Sequence, residues 1–328
     1  MRRLFAGLII LVVLAAGWAG AWFWLAGWVD RNADPTLRRI ATRGIDVDCP
    51  NRAVVGFPFA LRVTCGETAV AERSTGTRAS LPGATGGASV FRPMTAEIDL
   101  QSPVRVQSPL LDGPVEFRWT EAAVDVGMGM NGPKTVSFDA AGLFGAFALP
   151  GFPEQTVAAA TAEAHLAPSP SGGSAVALAF TDLAFANGDT RFPAVTGSAV
   201  ADLSIPPRAL AAGRQGISLP VSAREIQIQI QSGEARFVIE GDISLAPGGI
   251  LDGTLILRIA GAEALPEFIA AMPLEFQRIA NAVAAGLFAF GQPTDVDGRP
   301  GSEMRLTIAG NRVQIGPMLE FELPRLPL

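Results

Sequence analysis

The chain has 328 residues, a formal net charge of −6, 49% hydrophobic residues, two cysteines, one histidine and no tyrosine. That balance excludes a nucleic-acid binder, which needs a basic surface. One histidine and two cysteines cannot complete an ordinary zinc site, and low aromatic content with no tyrosine argues against a sugar-stacking platform.

The first element is the uncharged run Leu4–Val29, preceded by Arg2 and Arg3 and followed by Asp30 and Arg31. At about 1.5 Å per helical residue it exceeds the roughly 20 residues that cross a hydrocarbon core of about 30 Å. A cleaved signal is the rival, with Ala19-Gly20-Ala21 as a small-residue site. However, the run stays apolar through Trp22, Phe23, Trp24, Leu25 and Trp28, where a mature chain would turn polar. Trp18, Trp22, Trp24 and Trp28 form an interfacial belt, and Arg2 and Arg3 hold the N-terminus in the cytoplasm. The expectation is an uncleaved single-pass anchor over residues 1–29 in the inner membrane, with the remainder in the periplasm. No cysteine lies near residue 20, which argues against a lipoprotein signal.

Residues 30–44 form a juxtamembrane segment. Leu37, Ile40 and Ala41 have helical spacing, and Gly44 is placed to stop it. Its Arg31, Arg38, Arg39 and Arg43 either meet anionic headgroups or form a solvated helix face. The body is 45–328, with a second-lobe boundary near 167–174 as one option. Ile45–Cys49 and Leu61–Cys65 read as an antiparallel pair across a bend containing Gly56 and Pro58. In an oxidising compartment Cys49 and Cys65 form a structural disulfide.

Glycine (36) and proline (25) punctuate the body into short strands. Asp112-Gly113 is a hairpin turn, Gly127–Pro133 reads as a loop, and Pro168–Gly173 as a hairpin loop or linker. Between Ser222 and Ile259 the period-2 pattern is clearest, as in Ile226-Gln227-Ile228-Gln229-Ile230-Gln231. Three strands form a meander there with one wet face. Glu263–Phe290 changes to helical period, with Pro266 and Pro273 at first-turn positions of a short and a longer helix. Glu303–Ile308 and Arg312–Ile315 close the chain as a hairpin. The fold class is α+β, mainly β: a transmembrane helix, then a curved, mostly antiparallel sheet with a C-terminal helical segment on or inside it.

No catalytic set emerges. His165 has no Gly-x-Ser-x-Gly elbow to serve and reads as a surface or packed imidazole. The glycine runs lack a Gly-Lys-Ser/Thr ending, and Asp295-Val296-Asp297-Gly298 is only a fragment of a calcium loop. The expectations are no cofactor, no metal and no enzyme. The candidate ligand wall is the helix stripe Phe268, Ile269, Met272, Phe276, Ile279, Val283, Leu287 and Phe290, which is either plain core or one side of an apolar groove for an acyl chain.

Gly56-Phe57-Pro58-Phe59 before Leu61–Cys65, and Gly310-Asn311-Arg312-Val313-Gln314-Ile315-Gly316-Pro317 before the tail Pro324–Leu328, resemble a bacterial family of uncharacterised membrane-anchored envelope proteins. That family is similar in style to AsmA-like envelope proteins, a resemblance that implies lipid transport or envelope assembly and supplies no catalytic residues. The leading expectation is a membrane-anchored periplasmic protein that binds a lipid or another apolar ligand or assists assembly. A scaffold and a hydrolase with a dispersed site are the alternatives.

Overall fold

The computed structural model describes residues 2–42, 44–109, 111–129, 132–148, 153–188, 190–211, 219–261, 265–270, 274–315 and 319–323. The chain divides into two compact units, 1–128 with 147–152, and 129–146 with 153–328.

Unit 1 opens with α1 (Arg2–Ala41), a single helix that is long and apolar enough to cross a membrane. Instead of a separate juxtamembrane helix, the same helix continues through residues 30–41. It carries Pro35 within it, where one amide donor is lost but the fixed φ remains helical. Gly44 follows at φ +89°, a left-handed conformation that glycine adopts without strain.

The strands that follow are β1 (Ile45–Asp48), β2 (Ala53–Val55), β3 (Ala60–Cys65), β4 (Thr68–Glu72), β5 (Thr77–Leu81), β6 (Ala84–Ser89), β7 (Arg92–Leu100), β8 (Val104–Gln107), β9 (Val115–Arg118) and β10 (Glu121–Gly129). They pair antiparallel in two runs, β1–β4–β5–β8–β9 and β2–β3–β6–β7–β10. The expected pairing of Ile45–Cys49 with Leu61–Cys65 is therefore wrong: β4 takes β1, and both edges of β3 are filled by β2 and β6. Cys49 and Cys65 are joined, so the disulfide links the end of β1 to the end of β3. Asp112 and Gly113 lie in the connection between β8 and β9, but it runs over residues 108–114 and is longer than the two-residue turn the dipeptide suggests. The glycine run is not simply a loop, because Gly127 pairs with Thr95 inside the β7–β10 ladder. A ladder hydrogen bond needs only backbone, and glycine supplies it as well as any residue.

Beyond Gly129 lie β11 (Gly132–Ala148), β12 (Glu154–Pro168), β13 (Ser174–Asn187), β14 (Thr190–Arg191), β15 (Val195–Leu203), α2 (Pro207–Ala211), β16 (Val221–Ser232), β17 (Ala235–Ala246) and β18 (Ile250–Ala260). These are followed by α3 (Leu265–Ala270), α4 (Leu274–Phe290), β19 (Gln292–Val296), β20 (Arg299–Ala309), β21 (Arg312–Ile315) and β22 (Leu319–Glu322). In unit 2 an antiparallel sheet runs β12–β13–β15–β16–β17–β18–β20–β21–β22, and β14 and β19 pair at the side with β13 and β20.

The Pro168–Gly173 stretch is a hairpin loop, with Pro168 opposite Ser174. The expected meander is present at β16–β17–β18, extended at its ends beyond the alternating residues. Asp295–Gly298 is a hairpin turn. Asp297 and Gly298 both have positive φ, 52° and 77°, the requirement of a two-residue type I′ turn, and Asp295 Oδ1 accepts from the Gly298 amide at 2.6 Å. Gly310 and Asn311, at φ 58° and 69°, turn the final hairpin in the same way.

The core of unit 2 is where the two C-terminal helices meet the sheet. Leu265, Ile269 and Leu287 are buried against Leu257, Ile259, Met304, Ile308 and Val313. The fold is thus mainly β and antiparallel, with one long N-terminal apolar helix and a short helical segment packed on the sheet near the C-terminus.

Candidate functional site

Directly opposed residues of antiparallel strands share a face, so the register of unit 2 can be read as rows across the sheet. One row is Ala164–Leu178–Ala199–Ile228–Ile239–Leu257–Met304. The next on the same face is Ala162–Phe180–Gly197–Ile230–Phe237–Ile259. Neither holds a charge. At about 4.8 Å per strand the first row is about 29 Å wide. The opposite face reads His165–Ala177–Val200–Gln227–Glu240–Ile256–Arg305 and Glu163–Ala179–Ser198–Gln229–Val238–Arg258–Glu303, a polar surface.

The two ends of the apolar face differ. From β17 to β21 it is the core under α3 and α4, whereas among the described residues the buried cluster does not reach β12–β16. There Leu178 is 46% exposed. The side chains alternate in size between strands. β15 contributes Gly197, Ala199 and Ala201, flanked by Val176, Leu178 and Phe180 on β13 and by Ile228 and Ile230 on β16. The small column is the floor of a shallow trough and the large columns are its walls. From Gly197 to Ala201 the floor rises about 14 Å. Phe180 leans over the Gly197 end, its Cζ 2.8 Å from where a Cβ at 197 would lie. A depression of about 240 Å³ near this end belongs to the opposite, polar face, where Ala179, Ser198, Gln229, Gln231 and Arg236 line it.

Of the helix stripe proposed from sequence, Ile269 and Leu287 are core residues, 6% and 2% exposed, while Phe290 is exposed. Phe268, Phe276, Ile279 and Val283 lie on α3 and α4, but their side chains, and Met272 altogether, are outside the described residues. The trough was not anticipated from sequence. Its signal there is the small-residue alternation of Val195–Leu203, which becomes a floor only once β13 and β16 are known to flank it.

On the polar face, Arg258 bridges Glu303 (Nε–Oε2 2.8 Å) and Glu240 (Nη1–Oε2 2.7 Å). The hydrogen bonds that it donates to these carboxylates hold its guanidinium firmly cationic. A polar depression of about 330 Å³ contains this trio with Asp295 and Asp297. Both glutamates are committed to the arginine, and Asp297 pairs with Arg236 at 2.9 Å. A glycosidase acid instead needs a carboxyl freed to stay protonated. His165 is half exposed, its Nε2 4.0 Å from Glu163 Oε2. Asp139, Glu163 and His165 place ligand-capable atoms within 4.8 Å of one another, all on the exposed surface.

These features define a β-rich protein carried behind one helix of membrane-spanning length and apolarity, with a partly open apolar sheet face. The chain belongs to the family described as uncharacterized protein conserved in bacteria (DUF2125), whose sequence pattern matches residues 22–319. No curated protein and no solved structure matches it.

Proposed function

We propose that this is an inner-membrane-anchored periplasmic protein, non-enzymatic, whose trough along β15 receives an acyl chain of an envelope lipid. The observation that supports this reading is the uncharged apolar row that continues past the helix-covered core onto half-exposed strands. Its apolar walls and small floor suit a methylene chain better than a polar ligand. The disulfide supports an oxidising compartment for the body, and Arg2 and Arg3 before the apolar run support a cytoplasmic N-terminus.

The test is to purify the full chain in detergent, exchange it exhaustively, incubate it with total membrane lipid and weigh it by native mass spectrometry. Retained lipid on the wild type, reduced several-fold in Ala199→Trp, is the expected result. Lipid-free wild type accompanied by a reproducible protein in cell crosslinking would support the scaffold reading in its place.

A further inference from the structure

We propose that the Gly56-Phe57-Pro58-Phe59 turn and the neighbouring β6–β7 hairpin tip form an apolar lip of unit 1 that dips into the bilayer beside α1, so that the body is seated in the outer leaflet. The inference rests on the reading of α1 as a membrane span.

The contacts between the turn and α1 set its depth. Trp18 Nε1 donates to the Pro58 carbonyl at 3.0 Å, and Trp22 Nε1 donates to the Ala60 carbonyl at 2.8 Å. Phe57 stacks on Phe23 at 5.7 Å and meets Trp22 edge-on at 5.5 Å. Farther along the helix, Arg52 just before β2 pairs with Asp30 and Asp34 at 3.0 and 2.7 Å. Two placements of the helix bracket the depth. If the hydrocarbon begins at Leu4, a core of about 30 Å ends near Phe23, and Trp18 lies about 7 Å inside it. If the hydrocarbon ends at Val29, Trp18 lies about 16 Å inside. Both put Pro58 at or below the boundary.

The lip has the exposed apolar surface that such a depth requires, and four of its carbonyls are satisfied within the protein. Phe57, Phe59, Phe91 and Met94 are 50%, 56%, 78% and 55% exposed, and Phe91 exceeds every other large hydrophobic among the described residues. Phe59 and Phe91 lie 5.8 Å apart, so turn and hairpin tip form one patch. Irregular backbone in hydrocarbon needs internal partners, because no water is present to hydrogen-bond it. Here the carbonyls of Gly56, Pro58, Phe59 and Ala60 accept from Ala60 N, Trp18, Val90 N and Trp22 respectively, and Pro58 has no amide hydrogen to satisfy. Arg92, next to Phe91, turns its guanidinium away from the tip toward Glu97, at 3.7 Å, which leaves the tip itself apolar. These indole bonds and the continuity of the patch with the anchor identify the occupant as the bilayer that α1 crosses.

The experiment places an environment-sensitive fluorophore on Phe91→Cys, Leu14→Cys and Ser74→Cys in the otherwise oxidised full chain, reconstituted in phosphatidylethanolamine–phosphatidylglycerol vesicles. Lipids carrying nitroxide at a shallow acyl position then serve as quenchers. Quenching of the labels at 14 and 91 by at least twofold, with none at 74 near the far end of α1, is the expected result. A quenched label at 14 with an unquenched one at 91 overturns the lip and leaves the anchor standing. Labels at 14 and 91 both unquenched overturn the anchor reading and the lip with it. A label at 91 shielded from aqueous iodide yet untouched by lipid nitroxide would mean that protein covers the patch, which also overturns the proposal.

Discussion

Replacing Leu287 by alanine separates a core helix from a ligand-lining one. Leu287 is 2% exposed and packs among Leu257, Ile259, Met304 and Ile308. Deleting its branched end in a site that relaxes only partly removes about 2.7–5.0 kcal/mol, the transfer loss plus the cavity. For a unit of this size each kcal/mol shifts the melting temperature by about 2–4 °C, so the midpoint should fall by roughly 5–20 °C. Phe290→Ala, at an exposed position of the same helix, should shift it far less. The optical probe matters here. All five tryptophans precede unit 2 and there is no tyrosine, so indole fluorescence does not report this unit. The strand band in far-UV circular dichroism, or hydrogen exchange of β18 and β20, does. A Leu287→Ala protein that melts within about 2 °C of wild type but loses bound lipid would refute the reasoning, because Leu287 would then line the ligand site.

Reducing the Cys49–Cys65 bond should destabilise unit 1 by about 3 kcal/mol through the opened loop, lowering its tryptophan-monitored midpoint by roughly 10 °C and leaving unit 2 unchanged. The seam between α1 and β2 should be acid-sensitive. A hydrogen bond from Arg52 holds the Asp34 carboxyl below its ordinary range, so this contribution is complete above about pH 4 and is lost as the pH falls through the lowered value. Hydrogen exchange at residues 53–55, corrected for intrinsic rates, should therefore be flat from pH 7 to 5 and rise below 4, and Arg52→Ala should show the loosened pattern at pH 7. Gly56→Ala should destabilise the turn by more than about 1 kcal/mol, measured by the unit 1 midpoint. Its φ is +105°, and a Cβ there would lie 2.8 Å from the Ala60 carbonyl oxygen.

What could be read from sequence was local. Strict alternation in Ile226–Gln231 marks a strand because period 2 has no helical equivalent, and the dipeptides Asp112-Gly113 and Gly310-Asn311 mark turns because few residues accept positive φ. What could not be read was pairing. Nothing near Cys65 says that β3 will be flanked by β2 and β6, leaving β1 to β4, and nothing in Gly127-Met128-Gly129 says that a ladder partner awaits it. The candidate site shows the same division. The stripe of Ile269 and Leu287 is visible as a helical period, but period alone does not distinguish core from ligand wall, and the structure gives both residues to the core. The trough needs three strands to be set side by side before Gly197, Ala199 and Ala201 become a floor, so it is a property of topology.

In the proposed function lipid lies on the face of β15 that carries Ala199, and adjacent residues on that strand point to opposite faces. A photo-reactive benzophenone amino acid placed at Ala199 and, in a second protein, at Val200, irradiated in cells before purification, tests it directly. A lipid adduct by mass spectrometry at 199 and none at 200, which lies on the polar face, is the expected result. Adducts at both positions, or at neither, would contradict it.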